Sequence, residues 1–398
     1  MSLAEQLGRA RELAGFIQDD VAAALGVSRV MISYWEGGQR RPNQAQVAAL
    51  AALYRRQASD LYADVALDET ADEARMLFRR ATGSLSATAR QGIGAFVDFL
   101  DSYATLADAC RVSLRGMQQS PFGSTPGFDS AEDARRKAEE VRAHLRIGLG
   151  PVVDERRLCE LLGITVFYAA LGLDLATTIS GAFYHHPRVG FAILVNLEMT
   201  PGRRRFTLAH ELAHALLHSD QDRLVVSGPH RDPRERFADM FAGEFLMPAE
   251  GIRRAIEELG AGPRLDDPAD VIHLQRFFNV SYVTALVRLR QARLLSQANY
   301  EAFKSARPVA FAERLGYEVD EEEYQQDPQR WRLSRFPPRF RRLLRTALRR
   351  RVLSVPTAAN LTGLSLDEVE ELTDDGVSDS EQRRTELHEY EVTGVLAG

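Results

Sequence analysis

Residues 206–218 read FTLAHELAHALLH, and this stretch decides how the body of the chain is built. Its apolar residues recur at helical spacing, and Leu208, Leu212, Ala213, Ala215 and Leu216 mark a helix buried on most sides. His210 and His214 stand four apart. On a helix that spacing aims both imidazoles from one face, where they can share a metal ion. Glu211 lies beside the pair, placed to take a proton from an attacking water. His218 is one further turn along, too far to join the pair comfortably, and reads as a core or supporting histidine. His273, on an apolar face, reads as a core histidine.

A metal that keeps one position open for chemistry needs a third protein ligand. The candidate lies downstream in ERFADMFAGEFLMP, residues 235–248. Glu235 and Asp239 are four apart on a second helix, and Ala238 and Ala242 are small enough for close packing. Glu235 is expected to ligate one zinc ion per chain. Asp239 is expected to orient a ligand histidine through its second nitrogen. The HExxH pattern is that of zincins, and Glu-x-x-x-Asp resembles the gluzincin plan. Together with Val195-Asn196, Arg204 to His218 and Phe241 to Pro248, the pattern resembles the ImmA/IrrE metallo-endopeptidases over about residues 130–295. Val271 to Leu289 is similar to that family's distal helix pair. Asp239 departs from many relatives, which carry Asn, but keeps the hydrogen-bonding role.

The resemblance implies zinc-dependent peptide hydrolysis in which Glu211 passes a proton to the leaving amine. The strand Phe191 to Asn196 is expected to pair with an extended substrate by strand addition. Tyr184, His185 and His230 are the candidates for stabilising the oxyanion.

Outward from the HExxH helix, the period changes. Ile164 to Tyr168, Gly181 to His185 and Phe191 to Val195 read as short strands, and a long amphipathic helix is expected over about Ser130 to Leu145. Gly116 to Asp129, GMQQSPFGSTPGFD, reads as a linker. Residues 66–115 continue as helix, with Gly92 and Gly94 as weak points.

The N-terminal residues are all-helical. Leu3, Leu7, Ala10 and Leu13 form one face. Val21, Ala24 and Leu25 form a second, ending at Gly26. Ser28 is a plausible N-cap for a third helix carrying Ile32 and Trp35 inward, and Pro42-Asn43 opens a fourth. Gln18 to Pro42, QDDVAAALGVSRVMISYWEGGQRRP, resembles the Xre/lambda-repressor-like family. That family lays its third helix in the major groove of double-stranded DNA. By that resemblance Ser28, Arg29, Val30 and Tyr34 face the DNA, with Arg29 suited to guanine and Val30 to a thymine methyl. Gln18, Arg40 and Arg41 would meet phosphates. Residues 1–65 hold seven acidic and seven basic residues. With no net charge, modest non-specific affinity and a homodimer on a two-fold operator are expected, the 66–115 helices supplying the dimer surface. The competing reading is a helical protein–protein module.

The remaining numbers bound these readings. A chain of 398 residues with net charge −6 is no polybasic nucleic-acid coat. Cys110 and Cys159 are the two cysteines, which argues against a disulfide framework and a cysteine-rich zinc site. No signal peptide or membrane span is expected, so the location expected is cytoplasmic. Arg330 to Arg351 holds ten arginines and no carboxylate between acidic stretches. It could track phosphates, with Trp331, Phe336 and Phe340 stacking on bases. The favoured reading is a solvated helix balanced by its acidic neighbours, with Leu343, Leu344, Ala347 and Leu348 packed inward.

The expected fold is therefore multidomain and mainly α. A helix–turn–helix domain (1–65) is followed by a helical connector and linker (66–129). An α+β zincin-like, gluzincin-type domain (130–298) and a helical C-terminal region (299–398) complete the chain. The function implied is a DNA-binding transcriptional regulator that cleaves a helix–turn–helix repressor, a toxin–antitoxin component or itself in a stress, prophage or mobile-element response. The alternative is a non-proteolytic regulator or antitoxin whose zincin-like domain senses a ligand or partner.

Overall fold

The structure, a computed structural model, describes residues 2–14, 16–54, 61–62, 85–123, 130–173, 179–219, 223–227, 233–259, 265–318 and 334–374, with residues 58 and 78. Trp331, His230 and most of both acidic C-terminal stretches lie outside them. The fold is mainly helical with one small sheet. The chain divides into two compact units, Met1–Ser102 with Ala169–Ile179, and Tyr103–Tyr168 with Ser180–Gly398. The expected divisions at 65, 129 and 298 do not coincide with these units.

The first unit opens with α1 (Leu3–Leu13), α2 (Gln18–Leu25), α3 (Arg29–Glu36) and α4 (Gln44–Leu53). Capping boxes at Ser2/Glu5 and Asn43/Gln46 satisfy backbone N–H groups that have no partner inside α1 and α4. Gly26 closes α2 at φ +65°, a conformation cheap for glycine. The Ser28 hydroxyl then caps α3, accepting from Met31 N–H at 3.3 Å. Leu7, Val21, Ile32, Trp35, Val47, Leu50 and Tyr54 form the core. On α2 it is Ala22, not the expected Ala24, that is buried. Glu36 is the hub of a half-buried polar network. Arg11 donates to its two carboxylate oxygens at 2.6 and 3.0 Å, and Gln18 Nε2 donates at 3.0 Å.

Helix α5 (Ala87–Ala109) runs straight through both glycines expected to weaken it. Gly92 is there for space: a Cβ would fall 2.3 Å from the Ala170 carbonyl oxygen. Near its start, Arg90 reaches Asp20 at 2.5 Å.

In the second unit, α6 (Ala131–His144) and α7 (Glu155–Leu161) lead into β1 (Thr165–Ala169), β2 (Gly181–His186) and β3 (Gly190–Asn196). Then come α8 (Pro201–Ala213), a π turn (His214–His218), β4 (Leu224–Ser227) and α9 (Pro233–Leu246). The strand order is β1-β3-β2-β4, and β2 is antiparallel to both β3 and β4. Strand β4 is absent from the sequence reading; four residues are too few to show a period.

Side chains alternate across a sheet. Phe183, Ile193, Val195 and Phe191 join the large core shared with α8 and α9. Tyr184, Ala192 and Leu194 occupy the other face. The Gly116–Asp129 stretch, expected as a linker, is packed where it is described. Met117 exchanges backbone hydrogen bonds with Gly163 and Phe191, Ser120 Oγ donates to the Leu216 carbonyl, and Phe122 enters the core.

Helices α10 (Ala249–Leu259), α11 (Pro268–Phe278) and α12 (Tyr282–Gln291) complete this body. The α11–α12 turn, Phe278-Asn279-Val280-Ser281, repeats the geometry of Leu25-Gly26-Val27-Ser28. Asn279 is left-handed at φ 52° and Ser281 caps α12. The outcome differs through burial. Tyr282, Ala285, Leu286 and Leu289 are inside, whereas α3 exposes Arg29, Val30 and Tyr34.

The C-terminal helices α13 (Gln297–Lys304), α14 (Pro308–Arg314), α15 (Pro338–Arg349), α16 (Val355–Thr362) and α17 (Leu366–Asp374) fall in this unit as well. Phe303 and Ala312 join its core. Helix α15 buries Phe340, Leu343, Leu344, Ala347 and Leu348, as the stripe required. Phe336 and Phe340, weighed above as base-stacking residues, instead pack on Phe167 and Tyr103 at ring separations of 5.6 and 5.4 Å.

Candidate metal centre

The HExxH helix is buried through and through: residues 207–218 are all inside. Pro201 starts it, where a missing N–H costs nothing. It packs against α9, whose Ala238 and Ala242 are fully buried and let the two backbones approach. That approach brings Glu235 onto the histidine pair. His210 Nε2 lies 3.3 Å and His214 Nε2 3.2 Å from the Glu235 oxygens, and the two Nε2 atoms are 3.1 Å apart.

These three residues form the one metal-capable group of its kind among the described residues, their donor atoms all within 4.8 Å of one another. Two imidazole nitrogens and a carboxylate oxygen converging on one point suit a divalent ion of intermediate softness. Glu211 adds a second observation. It is 0% exposed, and its oxygens have no well-formed hydrogen bond among the described residues, the nearby Ser227 hydroxyl only partly offsetting the cost of burial. A buried carboxylate without such bonds is costly unless a cation or a reacting group completes its surroundings.

The charges follow the geometry. Burial opposes charge on Glu235, but hydrogen bonds from His210 and His214 outweigh it and hold the carboxyl well below its usual range. Burial also opposes charge on His210, yet its bonds to Asp239 and Glu235 hold its pKa up to about 10 in the metal-free chain. His214 is held below its ordinary value by burial, only partly offset by Glu235. Burial pushes Glu211 up to about 8.

Asp239 stands where the sequence places it. Its Oδ1 is 2.9 Å from His210 Nδ1, the nitrogen facing away from the cluster. His218 holds the matching place on the other histidine, its Nδ1 2.8 Å from His214 Nδ1. The sequence marks His218 as a core or supporting histidine, and here it is both buried and bonded to His214; the π turn that carries it is invisible to a count of spacing.

Two further residues escaped that reading. Gly181 in β2 has no room for a side chain: a Cβ would lie 2.7 Å from Glu211 Oε1 and 2.7 Å from Thr207 Cγ2. An isolated glycine within an alternating strand was the available signal. Ser227, paired with Gly181 across β2 and β4, is buried beside the Glu211 carboxylate.

Two expectations are corrected. Strand β3 lies between β1 and β2, so its hydrogen-bonding edges are taken and it cannot receive an extended substrate. Tyr184 alternates with Gly181 and Phe183 onto the face away from α8 and is 1% exposed, so it is no oxyanion donor. His185 shares the α8 face but bonds Gln118 at 3.0 Å, and His230 lies outside the described residues.

In the N-terminal domain all the expected DNA-facing residues except Gln18 are exposed. Arg29, Val30, Tyr34, Arg40 and Arg41 are exposed, and so is Ser28, whose hydroxyl is engaged as the cap of α3. Arg29 lies 3.7 Å from Asp19, and Arg40 Nη1 3.8 Å from Met31 Sδ. Gln18 is tied into the Glu36 network, a structural task that the spacing did not suggest.

Fold and site thus give an N-terminal helix–turn–helix domain followed by an α+β body with a buried HExxH helix. Comparison with known proteins agrees. Residues 2–62 match a helix-turn-helix domain family, and residues 159–290 match the IrrE N-terminal-like domain. The radiation response metalloprotease IrrE of Deinococcus deserti is 32% identical over 169 residues, covering 40% of this chain. The chain spans about half the length of that curated relative, 54%. Among solved structures, a Mycobacterium tuberculosis transcriptional regulator is 22% identical with a TM-score of 0.26, covering 48% of this chain and 52% of that one. That likeness is too loose to carry an argument.

Proposed function

We propose that the chain is a DNA-binding transcriptional regulator carrying a zinc-dependent endopeptidase. The observation that carries the reading is the convergence of His210, His214 and Glu235 beside a buried Glu211 whose oxygens have no well-formed hydrogen bond among the described residues. His210, His214 and Glu235 would hold one zinc ion per chain. Bound there, zinc supplies Lewis acidity, polarising a peptide carbonyl and acidifying water. Asp239 fixes the His210 ring. Glu211, its basicity raised by burial, takes the proton of the attacking water and hands it to the leaving amine. Gly181 keeps the space in which that carboxylate sits.

A protein substrate is expected along β4, the sheet edge next to the site, where Ser227 lies beside Glu211. Its proposed identity is a helix–turn–helix repressor, a toxin–antitoxin component or this chain itself, cut in a stress, prophage or mobile-element response. The exposed face of α3 would read a two-fold operator as a homodimer, in the cytoplasm. No helix among the described residues is long and apolar enough to cross a membrane.

One observation favours a second reading, a non-proteolytic regulator that senses a ligand: His214 and Glu211 are both 0% exposed. Zinc content tests the premise of the first reading. About one zinc per chain, lost on His210→Ala/His214→Ala, is expected; zinc unaffected by that change would sink the metal site and the endopeptidase reading with it.

A further inference from the structure

The two metal-facing histidines are supported unequally. His210 turns its Nδ1 to the Asp239 carboxylate at 2.9 Å, and Asp239 is exposed on 59% of its side chain. His214 turns its Nδ1 to another imidazole, His218, at 2.8 Å, and both rings are fully buried. His218 packs against Phe237 at 5.7 Å between ring centres and ends the π turn, where the helix changes pitch from His214, the last HExxH residue, onward.

We propose that His218 is a positioning residue for the metal: it accepts the Nδ1–H of His214, fixing that ring's tautomer and aim so that Nε2 stays a bare donor. This rests on the zinc reading above. The proton placement follows from the geometry. His214 Nε2 faces Glu235 and His210, so a metal there requires Nε2 without its proton, and the hydrogen sits on Nδ1. At 2.8 Å the facing His218 Nδ1 must then be the acceptor. A neutral acceptor also suits the place: a carboxylate there would add a second buried charge beside Glu235, whereas the charged support for His210 stands at the surface.

The bond can be separated from simple space-filling. His218→Leu keeps the bulk and removes the acceptor. His218→Asn puts a carbonyl oxygen close to where Nδ1 stood. The full-length protein is titrated with zinc against a chelator of known affinity, and with cobalt(II) as an absorbance probe of ligand geometry. A roughly 10–100-fold weaker zinc affinity is expected for His218→Leu, with an altered cobalt spectrum, while His218→Asn stays within about threefold of the parent. Parental affinity in His218→Leu, or equal weakening in both variants, would overturn the proposal. Should His218→Leu not fold, His218→Asn decides alone: near-parental affinity supports the bond, and a tenfold or greater loss overturns it. An unmodified protein that takes up no zinc would instead overturn the zinc reading itself.

Discussion

Glu36→Ala should destabilise the helix–turn–helix domain while leaving the exposed residues of α3 in place. Glu36 and Arg11 are 10% and 12% exposed at their side chains, and their two hydrogen bonds are 2.6 and 3.0 Å long. Removing one partner of a buried pair costs roughly 3–5 kcal/mol, because a charge is left without its mate. Arg11 retains the Phe16 carbonyl at 2.9 Å and Glu12 at 3.3 Å, so a cost just below that range, about 2–3 kcal/mol, applies here. A domain of this size is worth only roughly 3–9 kcal/mol in total. With a urea dependence near 1 kcal/mol per molar, the midpoint should fall by about 2–3 M. Trp35, 3% exposed in this core, reports the transition in a Trp331→Phe background, since the chain has two tryptophans. Replacing both partners, Arg11→Met with Glu36→Leu, should recover most of the loss. A midpoint shift below about 0.5 M for Glu36→Ala would place the pair with ordinary exposed ion pairs and refute the reasoning.

Three further outcomes follow. Gly181→Val should slow proteolysis by roughly 100-fold or more while zinc content stays at the parental level, since the new atoms displace Glu211 and not the ligands; unchanged cleavage in a folded variant would contradict this placement. Zinc affinity should climb about tenfold per pH unit from 6.5 towards 9. His210 holds a proton up to about 10 in the metal-free chain, and that proton must leave, whereas Glu235 is already ionised and His214 already neutral. A flat pH dependence by competition titration would refute the charge assignment. Arg29→Ala should weaken binding to the chain's own operator by roughly 5–100-fold in gel shift, and more on the operator than on unrelated DNA. An equal loss on both would make Arg29 a phosphate contact.

What the sequence made legible was whatever spacing along one helix determines. His210, Glu211 and His214 share a helix, and Glu235 and Asp239 another, so each pair could be placed by counting, and Ala238 and Ala242 hinted that the two helices meet. The Gly26 turn and the Ser28 cap were equally plain, being local chemistry. The α11–α12 turn shows the limit of such signals. Its residues are as persuasive as those of the first turn, yet burial of α12 gives it a packing task, and burial depends on distant parts of the chain. Strand order is likewise non-local. Nothing in Phe191–Asn196 says that both its edges are paired, and nothing in Gly181 says that a carboxylate will press against it. Distance along the helix set His218 aside as a direct ligand and left it as core or support; only the structure shows that its partner is the far side of His214.

On the endopeptidase reading Glu211 does chemistry rather than merely lining a site. The most direct measurement compares the parent with Glu211→Gln in cells, following zinc content, operator binding, transcription and, by mass spectrometry, the appearance of a cleaved partner protein. Zinc and DNA binding should survive the change while the cleaved fragment and derepression both disappear. An unaltered transcriptional response in Glu211→Gln, abolished instead by Arg29→Ala, would contradict that reading and establish a regulator that does not cut.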